Sequence, residues 1–260
     1  MQLNYKSFGA GAPVIILHGL FGTLDNWQSI AKRLADNFLV FIIDQRNHGR
    51  SPHEDVFDYP TLAEDLHEFM EQQWMYHANI IGHSMGGKAA MQFALQYPDM
   101  VDKLVVVDIA PKPYWGGHEK VFAAIFAVDL QTVSERRDVE EILRKHLPNE
   151  EATVYFLLKN LSRNVATGQF EWKADITALY NNYPNILAAP TVPSNVTFNK
   201  PTLFVRGAES KYVQDEDWHA IQQHFTDASL TTIADAGHWV NADQPEKLIA
   251  SVQAFLQTGT

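Results

Sequence analysis

The chain contains no cysteine among its 260 residues. This absence excludes a disulfide framework, a thiolate nucleophile and any metal site built on cysteine ligands. If the protein is an enzyme, its chemistry must therefore rely on oxygen and nitrogen side chains.

Long apolar runs and an excess of basic charge are also missing. No eighteen apolar residues follow one another, and the first residues, MQLNYKSFGAGAP, lack the basic patch and apolar stretch of a secretion signal. We therefore expect a cytoplasmic protein without a membrane partner. The chain has 31 acidic and 20 basic residues, and its formal charge of -11 repels a phosphate backbone. Nucleic acid is accordingly not an expected partner.

Short apolar runs recur along the chain and predict buried strands. The runs are PVIILHG (13–19), LVFIID (39–44), NIIG (79–82), LVVVD (104–108), TLFV (202–205) and LTTI (230–233). Most of them are separated by amphipathic helical patterns, an alternation typical of a mostly parallel, doubly wound α/β sheet.

The alternation is interrupted between about residues 111 and 190. Three helical patterns, a short GQFEWKAD stretch and a helix-like ITALYNNYPNIL segment fill this interval without a strand of the sheet. An insertion of this length between two strands predicts a helical cap. We therefore predict a core formed by residues 1–111 and 191–260, with a cap formed by residues 112–190.

A serine stands between two glycines where a predicted strand meets a predicted helix, in the stretch Gly82-His-Ser84-Met85-Gly86. Small residues on both sides let the turn tighten and expose the hydroxyl above the sheet edge, which is the setting of a nucleophile elbow. At the start of the helix the N–H of Met85 is free to donate to a developing oxyanion. The pattern favours Ser84 as a nucleophile.

Two other interpretations of the same stretch stay open at this point. The run from Gly82 to Lys88 also fits the start of a phosphate-binding loop, but that loop needs Ser or Thr in the next position, where this chain has Ala89. In the other interpretation, Ser84 only caps the helix that follows it. Neighbouring motifs are needed to decide.

Two such motifs follow predicted strands elsewhere in the chain. HGLFG (18–22) follows the first buried run and offers the N–H of Leu20 as a second oxyanion donor, opposite that of Met85. AGHW (236–239) lies between the last predicted strand and the last predicted helix, so that His238 can lean over the sheet edge toward Ser84. There it would act as general base and then as general acid.

These motifs and DQRNHGRS (44–51), in this order and spacing, resemble the α/β-hydrolase superfamily over nearly the whole chain. With VVVDIAP, WKAD and FVRGAES added, the chain is similar to bacterial esterases of the YbfF type. The resemblance implies an α/β-hydrolase fold, with a mostly parallel sheet of about eight strands and an inserted helical cap. It implies no metal and no organic cofactor.

The acid that orients His238 needs a separate argument. In the superfamily it usually follows the strand that here is TLFVRG, in a Gly-x-x-Asp pattern, but Ser210 occupies that position in this chain. Two carboxylates are candidates for the role, namely Asp108 at the end of the VVVD run and Glu209, one residue out of register. The resemblance to YbfF-type esterases implies Asp108 as the acid and Ser210 as an auxiliary residue that adds a hydrogen bond.

We therefore predict a serine carboxylesterase or thioesterase that forms an acyl-enzyme on Ser84, with a small acyl ester or acyl-CoA as its substrate. The same scaffold also hosts cofactor-free peroxidases, carbon–carbon bond hydrolases and non-catalytic ligand-binding homologues, which stay as alternatives. Large apolar residues in the cap predict an acyl pocket between cap and core. They are Trp115, Phe122, Phe126, Tyr155, Phe156 and Trp172.

Overall fold

The structure of the protein is a computed structural model that describes residues 1–191, 193 and 195–258. The predicted core range 191–260 includes residues 192, 194, 259 and 260, which lie outside the described part. Strands and helices alternate along most of the described chain.

One large sheet and one small sheet account for the strands of the described residues. The strands are β1 (Tyr5–Phe8), β2 (Pro13–Leu17), β3 (Leu39–Ile43), β4 (Ala78–His83), β5 (Val101–Val107), β6 (Leu161–Arg163), β7 (Phe170–Trp172), β8 (Thr202–Gly207) and β9 (Ala228–Ile233). The large sheet has the order β1-β3-β2-β4-β5-β8-β9, and only β1 pairs antiparallel with its neighbour.

The mostly parallel α/β-hydrolase sheet is thus confirmed, but the expected count of about eight strands is wrong. The large sheet has seven strands within the described residues. The two remaining strands, β6 and β7, are three residues long and pair only with each other. They are too short to extend the large sheet.

Helices cover both faces of the large sheet. They are α1 (Gln28–Leu34), α2 (Tyr59–Gln72), α3 (Met85–Gln96), α4 (Glu119–Phe126), α5 (Arg136–His146), α6 (Glu151–Lys159), α7 (Ile176–Asn181), α8 (Tyr183–Leu187), α9 (Asp217–His224), α10 (Val240–Asp243) and α11 (Pro245–Gln257), with 3-10 turns at Leu24–Trp27 and Pro98–Met100. None of the helices in the described ranges is both long and apolar enough to cross a bilayer.

The sheet is buried on both faces because its central strands carry apolar side chains on both sides. Along β2, Ile15 and Leu17 belong to the core beneath α2 and α3, whereas Val14 and Ile16 belong to the core beneath α1 and α11. Successive side chains of a strand point to opposite faces, so an uninterrupted apolar run supplies both cores. This double burial holds the carboxyl ends of the parallel strands rigidly along one edge.

Between β5 and β8 the chain forms the helices α4 to α8 and the small sheet. The three predicted helical patterns correspond to α4, α5 and α6, and the ITALYNNYPNIL segment forms α7 and α8. Hydrogen bonds join this segment to the rest of the chain: the Asp175 N–H donates to Asn47 O at 2.9 Å, and the Tyr59 hydroxyl donates to Ile186 O at 2.5 Å. The segment is therefore anchored near the carboxyl edge of the sheet.

Candidate active site

Ser84 occupies a sharp corner between β4 and α3. Its φ of 53° lies in the left-handed region, which is unfavourable for a residue with a side chain. A Cβ added at Gly82 would lie 2.2 Å from Gly86 O, and one added at Gly86 would lie 2.5 Å from His18 O. Each added Cβ would collide with a backbone oxygen, which cannot move aside as a flexible side chain can, so only glycine fits at either position. The tight corner places Ser84 at the edge of the sheet.

The ends of two other strands bring a histidine and a carboxylate to this serine. His238, which follows β9, has its Nε2 2.9 Å from Ser84 Oγ, and its Nδ1 is 2.8 Å from Oδ2 of Asp108. Asp108 directly follows β5, is completely buried and also has a positive φ, of 52°. Residues separated by up to 154 positions therefore form one hydrogen-bonded series.

Three donors hold the Asp108 carboxylate in one orientation. Its Oδ1 accepts from the Gly207 N–H at 3.0 Å, and its Oδ2 accepts from His238 Nδ1 and from the Ser210 hydroxyl. The Glu209 side chain is exposed instead, and no hydrogen bond joins it to His238 within the described residues. Of the two candidate carboxylates, the structure brings Asp108 to the histidine, with Ser210 beside it.

Two aromatic side chains fix the plane of the His238 ring. The Tyr212 ring stacks on it with centroids 3.7 Å apart, and the His83 ring lies 4.9 Å away. His83 Nε2–H donates to His238 O at 2.8 Å. Burial lowers the pKa of His83 to about 3, so this neighbour stays neutral and adds no repulsion to a protonated His238.

The two N–H groups expected to donate hydrogen bonds to an oxyanion have no partner within the described residues. Neither the Leu20 N–H nor the Met85 N–H has an acceptor within the described part of the chain. Next to Leu20, Phe21 adopts a φ of 58°, its N–H donates to His48 Nε2 at 3.2 Å, and its carbonyl accepts from Asn160 Nδ2 at 2.7 Å. Burial lowers the pKa of His48 well below its ordinary value, which keeps Nε2 free to accept. The loop that carries Leu20 is thus held from both sides.

Two cavities meet at Ser84. One has a volume of about 30 Å³ and the other about 810 Å³. Of the six aromatic residues predicted to line an acyl pocket, only Tyr155 and Phe156 line either cavity. Trp115 is 95% exposed and Phe122 packs in the core, so the composition of the inserted segment alone did not indicate which aromatic residues face the site.

Lys88 and Asn160 also belong to the site, but the sequence did not indicate their roles there. Lys88 is 1% exposed, lines the small cavity, and donates from Nζ to Leu187 O at 3.0 Å and Ala188 O at 2.5 Å. Its ammonium also lies 4.7 Å from the centre of the Tyr114 ring. It therefore ties α3, which begins at the nucleophile, to the end of α8.

Burial lowers the pKa of Lys88 from 10.5 to about 7. The unfolded chain therefore binds one more proton than the folded protein between these pH values, so this group makes the free energy of unfolding rise with pH across that window. We expect Lys88→Met to remove this rise. Urea unfolding of both proteins at several pH values between about 7 and 10 measures it. Parallel stability curves for the two proteins would contradict the assignment.

Comparison with known proteins identifies the family to which the chain belongs. Residues 12–245 match the family model for the alpha/beta hydrolase fold. The chain belongs to the α/β-hydrolase family.

Several relatives match it over nearly its whole length. Esterase YbfF of Escherichia coli is 36% identical and the match covers 98% of this chain and 99% of the relative. The sn-1-specific diacylglycerol lipase ABHD11 of Danio rerio is 39% identical, with 99% of this chain and 83% of the relative covered. The solved structure of a marine microorganism esterase is 43% identical, has a TM-score of 0.94, and covers 98% of this chain and 99% of its own.

The expected similarity to YbfF-type esterases is thus confirmed. Relatives with esterase and lipase names at this level of identity support a hydrolase that acts on esters. They do not favour a carbon–carbon bond hydrolase or a non-catalytic homologue.

Proposed function

We propose that the protein is a serine hydrolase that cleaves carboxylic esters through an acyl-enzyme on Ser84. The observation that carries the proposal is the hydrogen-bonded series from Ser84 Oγ to His238 Nε2, at 2.9 Å, and from His238 Nδ1 to Asp108 Oδ2, at 2.8 Å. A base within hydrogen-bond reach of a hydroxyl, oriented by a buried carboxylate, is the arrangement that activates a serine.

Acylation uses these three residues in sequence. His238 Nε2 takes the hydroxyl proton as Ser84 Oγ attacks the carbonyl carbon, and Asp108 stabilises the imidazolium that results. The carbonyl oxygen becomes an oxyanion and accepts hydrogen bonds from the Leu20 and Met85 N–H groups. His238 then donates its proton to the alcohol oxygen, the carbon–oxygen bond breaks, and the alcohol leaves.

Deacylation repeats these steps with water as the nucleophile. His238 takes a proton from the water, which attacks the acyl carbon, and then returns the proton to Ser84 Oγ as the carboxylic acid leaves. One ester and one water thus give one acid and one alcohol, and the enzyme is restored. Acyl thioesters follow the same route with a thiol as the leaving group, so thioester hydrolysis is part of the proposal.

Residues 112–190 form the cap in this proposal. The large cavity is lined by residues of α6, such as Tyr155 and Phe156, and by residues that follow β2 and β9. A site at the boundary between an inserted segment and the sheet edge is a common place for a small ligand. A small-molecule ester would therefore reach Ser84 between the cap and the core.

A fluorophosphonate probe tests the proposed nucleophile directly. The probe phosphonylates an activated serine, so we expect one equivalent to be incorporated on the peptide that contains Ser84 and hydrolysis of phenyl acetate to stop in parallel. Intact-mass and peptide-level mass spectrometry measure the incorporation. Heat-denatured protein is the control, because it retains the serine but loses its contact with His238. Persistent hydrolysis in fully labelled protein would overturn the proposal.

Ser210 is proposed as a positioning residue rather than a reacting one. Its hydroxyl donates to Asp108 and accepts from the Tyr212 N–H at 3.2 Å. Loss of a hydrogen bond to a charged acceptor is worth about 1.5–3 kcal/mol, so we expect Ser210→Ala to lower kcat by roughly 10- to 100-fold. Steady-state kinetics on phenyl acetate measure this loss. Ser210→Thr keeps the hydroxyl and should recover most of the rate; equal rates for the alanine variant and the wild type would refute the role.

A further inference from the structure

The two sides of Ser84 differ in size and in chemistry. His238 lines the large cavity, of about 810 Å³, and does not line the small one, of about 30 Å³. Met85, which carries one of the two available N–H groups, lines only the small cavity. Leu20, Ser84, His118 and Tyr212 line both. His238 and Met85 therefore lie on different sides of the nucleophile.

The position of His238 decides which part of an ester enters which cavity. Its Nε2 has to deliver a proton to the oxygen of the leaving alcohol, so that oxygen must lie on the large-cavity side of Ser84. The acyl carbon bonded to Ser84 Oγ then directs its chain away from His238, into the small cavity. The alcohol and the acyl group are in this way sorted by size.

The small cavity holds about two water-sized groups, which is the room that an acyl chain of about two or three carbons needs. Its apolar walls include Ile109 and Ile186, both buried. The wall formed by α8 is tied in place, because Tyr59 donates to Ile186 O and Lys88 donates to Leu187 O. A longer chain would have to displace packed and hydrogen-bonded groups.

The large cavity is wide, aromatic and negatively charged. The Phe156 and Trp239 rings pack against each other in its wall, with centroids 5.4 Å apart. Within the described residues, the charged side chains that line it are Asp25, Glu150, Lys159 and Asp243. Asp25 pairs with Lys6 at 2.6 Å, so the Glu150 and Asp243 carboxylates against the Lys159 ammonium leave the wall with a net negative charge. This charge repels the phosphates of a CoA leaving group and does not oppose an uncharged alcohol.

We infer that the substrates are esters of a short acyl group, of about two or three carbons, with a bulky uncharged alcohol or thiol, and that CoA thioesters are poor substrates. This inference rests on the proposed function and narrows it. It distinguishes between acyl esters and acyl-CoA, the two substrate classes that the sequence analysis predicted without choosing between them.

A series of 2-naphthyl esters tests the acyl side. We expect kcat/KM to fall by about 10²-fold from the acetate to the octanoate. Leu187→Ala widens the small cavity and should raise the octanoate-to-acetate ratio at least about tenfold, with Ile186→Val as a milder second variant. Phe156→Ala, in the large cavity, is the matched control: it should change the preference for naphthyl over methyl acetate and leave the acyl ratio unchanged. An octanoate that reacts as fast as the acetate in the wild type would overturn the inference.

Two thioesters test the leaving-group side. Acetyl-CoA and S-acetyl-N-acetylcysteamine share the reacting bond, and only the first carries phosphates. We expect kcat/KM for acetyl-CoA to be at least about tenfold lower at low ionic strength, with the gap narrowing as salt is added. Equal or faster hydrolysis of acetyl-CoA would overturn this part.

The two experiments also distinguish this inference from the proposed function. If no compound shows Ser84-dependent hydrolysis, the proposed function fails. If hydrolysis depends on Ser84 but octanoate or acetyl-CoA is preferred, only this inference fails.

Discussion

Replacement of Ser84 by alanine is expected to lower kcat for ester hydrolysis by about 10⁴- to 10⁶-fold. The substitution removes the hydroxyl oxygen that lies 2.9 Å from His238 Nε2, while the Leu20 and Met85 N–H groups stay in place. Residual hydrolysis should therefore show no burst of released alcohol, since no acyl-enzyme can form. Steady-state and pre-steady-state assays with p-nitrophenyl acetate measure both quantities.

Ser251→Ala provides the matched control for this variant. Ser251 lies on α11 and lines neither cavity, and its hydroxyl donates to Lys247 O at 2.9 Å. We expect wild-type kcat from it. The Ser84 variant should also retain the wild-type circular dichroism spectrum, because alanine is smaller than serine and meets no new contact. Retention of more than about one-hundredth of the wild-type kcat by folded Ser84→Ala would contradict the mechanism.

Asp108→Asn is expected to lower kcat by about 10⁴-fold with little loss of folded protein. An asparagine keeps the size of the side chain, but its amide NH₂ replaces one of the two carboxylate oxygens. At the Oδ1 position it faces the Gly207 N–H, and at the Oδ2 position it faces both His238 Nδ1 and the Ser210 hydroxyl. The imidazole then loses the charge that stabilises its protonated form, or adopts the tautomer that cannot take the Ser84 proton. Steady-state kinetics and a thermal unfolding curve separate the catalytic loss from any loss of stability.

Glu209→Gln is the comparison that makes this test decisive. It makes the same carboxylate-to-amide change one residue from Ser210, on a side chain that is exposed and not bonded to His238 within the described residues. We expect it to change kcat by less than about threefold, as an exposed substitution away from the reacting groups should. A large loss in Glu209→Gln together with normal activity in Asp108→Asn would reverse the assignment of the acid.

Much of the fold and the central pair of the site could be predicted because their signals are local. The apolar runs, the glycines around Ser84 and the position of His238 after the last strand are each contained in a few neighbouring residues. The acid could not be found in this way. Asp108 and Ser210 come together only because β5 and β8 are adjacent in the sheet. The residues of these two segments do not by themselves predict that the strands are neighbours. The resemblance to YbfF-type esterases indicated Asp108 as the acid, whereas the local sequence pattern did not.

Other features lacked a local signal altogether. The contact between Asn160 and Phe21 joins positions 139 apart, and an asparagine after a helix is most simply interpreted as part of a turn. In the sequence, Lys88 matches only the lysine position of a phosphate-binding loop, whereas its partners in the structure are carbonyls about one hundred residues away. The strands β6 and β7 are too short for an alternating pattern to be distinguished. Long-range pairing, rather than propensity, decides each of these.

The bond from Asn160 to the Phe21 carbonyl limits how this enzyme can be re-engineered. Asn160 is buried and also accepts from the Ala174 N–H at 2.9 Å. A single amide therefore connects the end of α6, the segment between β7 and α7, and the loop beside the nucleophile. A chimera that exchanges residues 112–190 for the insertion of another hydrolase must therefore supply an equivalent donor. Without that donor, the Phe21 carbonyl would lose its hydrogen bond, and the loop that carries the Leu20 N–H would no longer be fixed whatever substrate the new insertion selects.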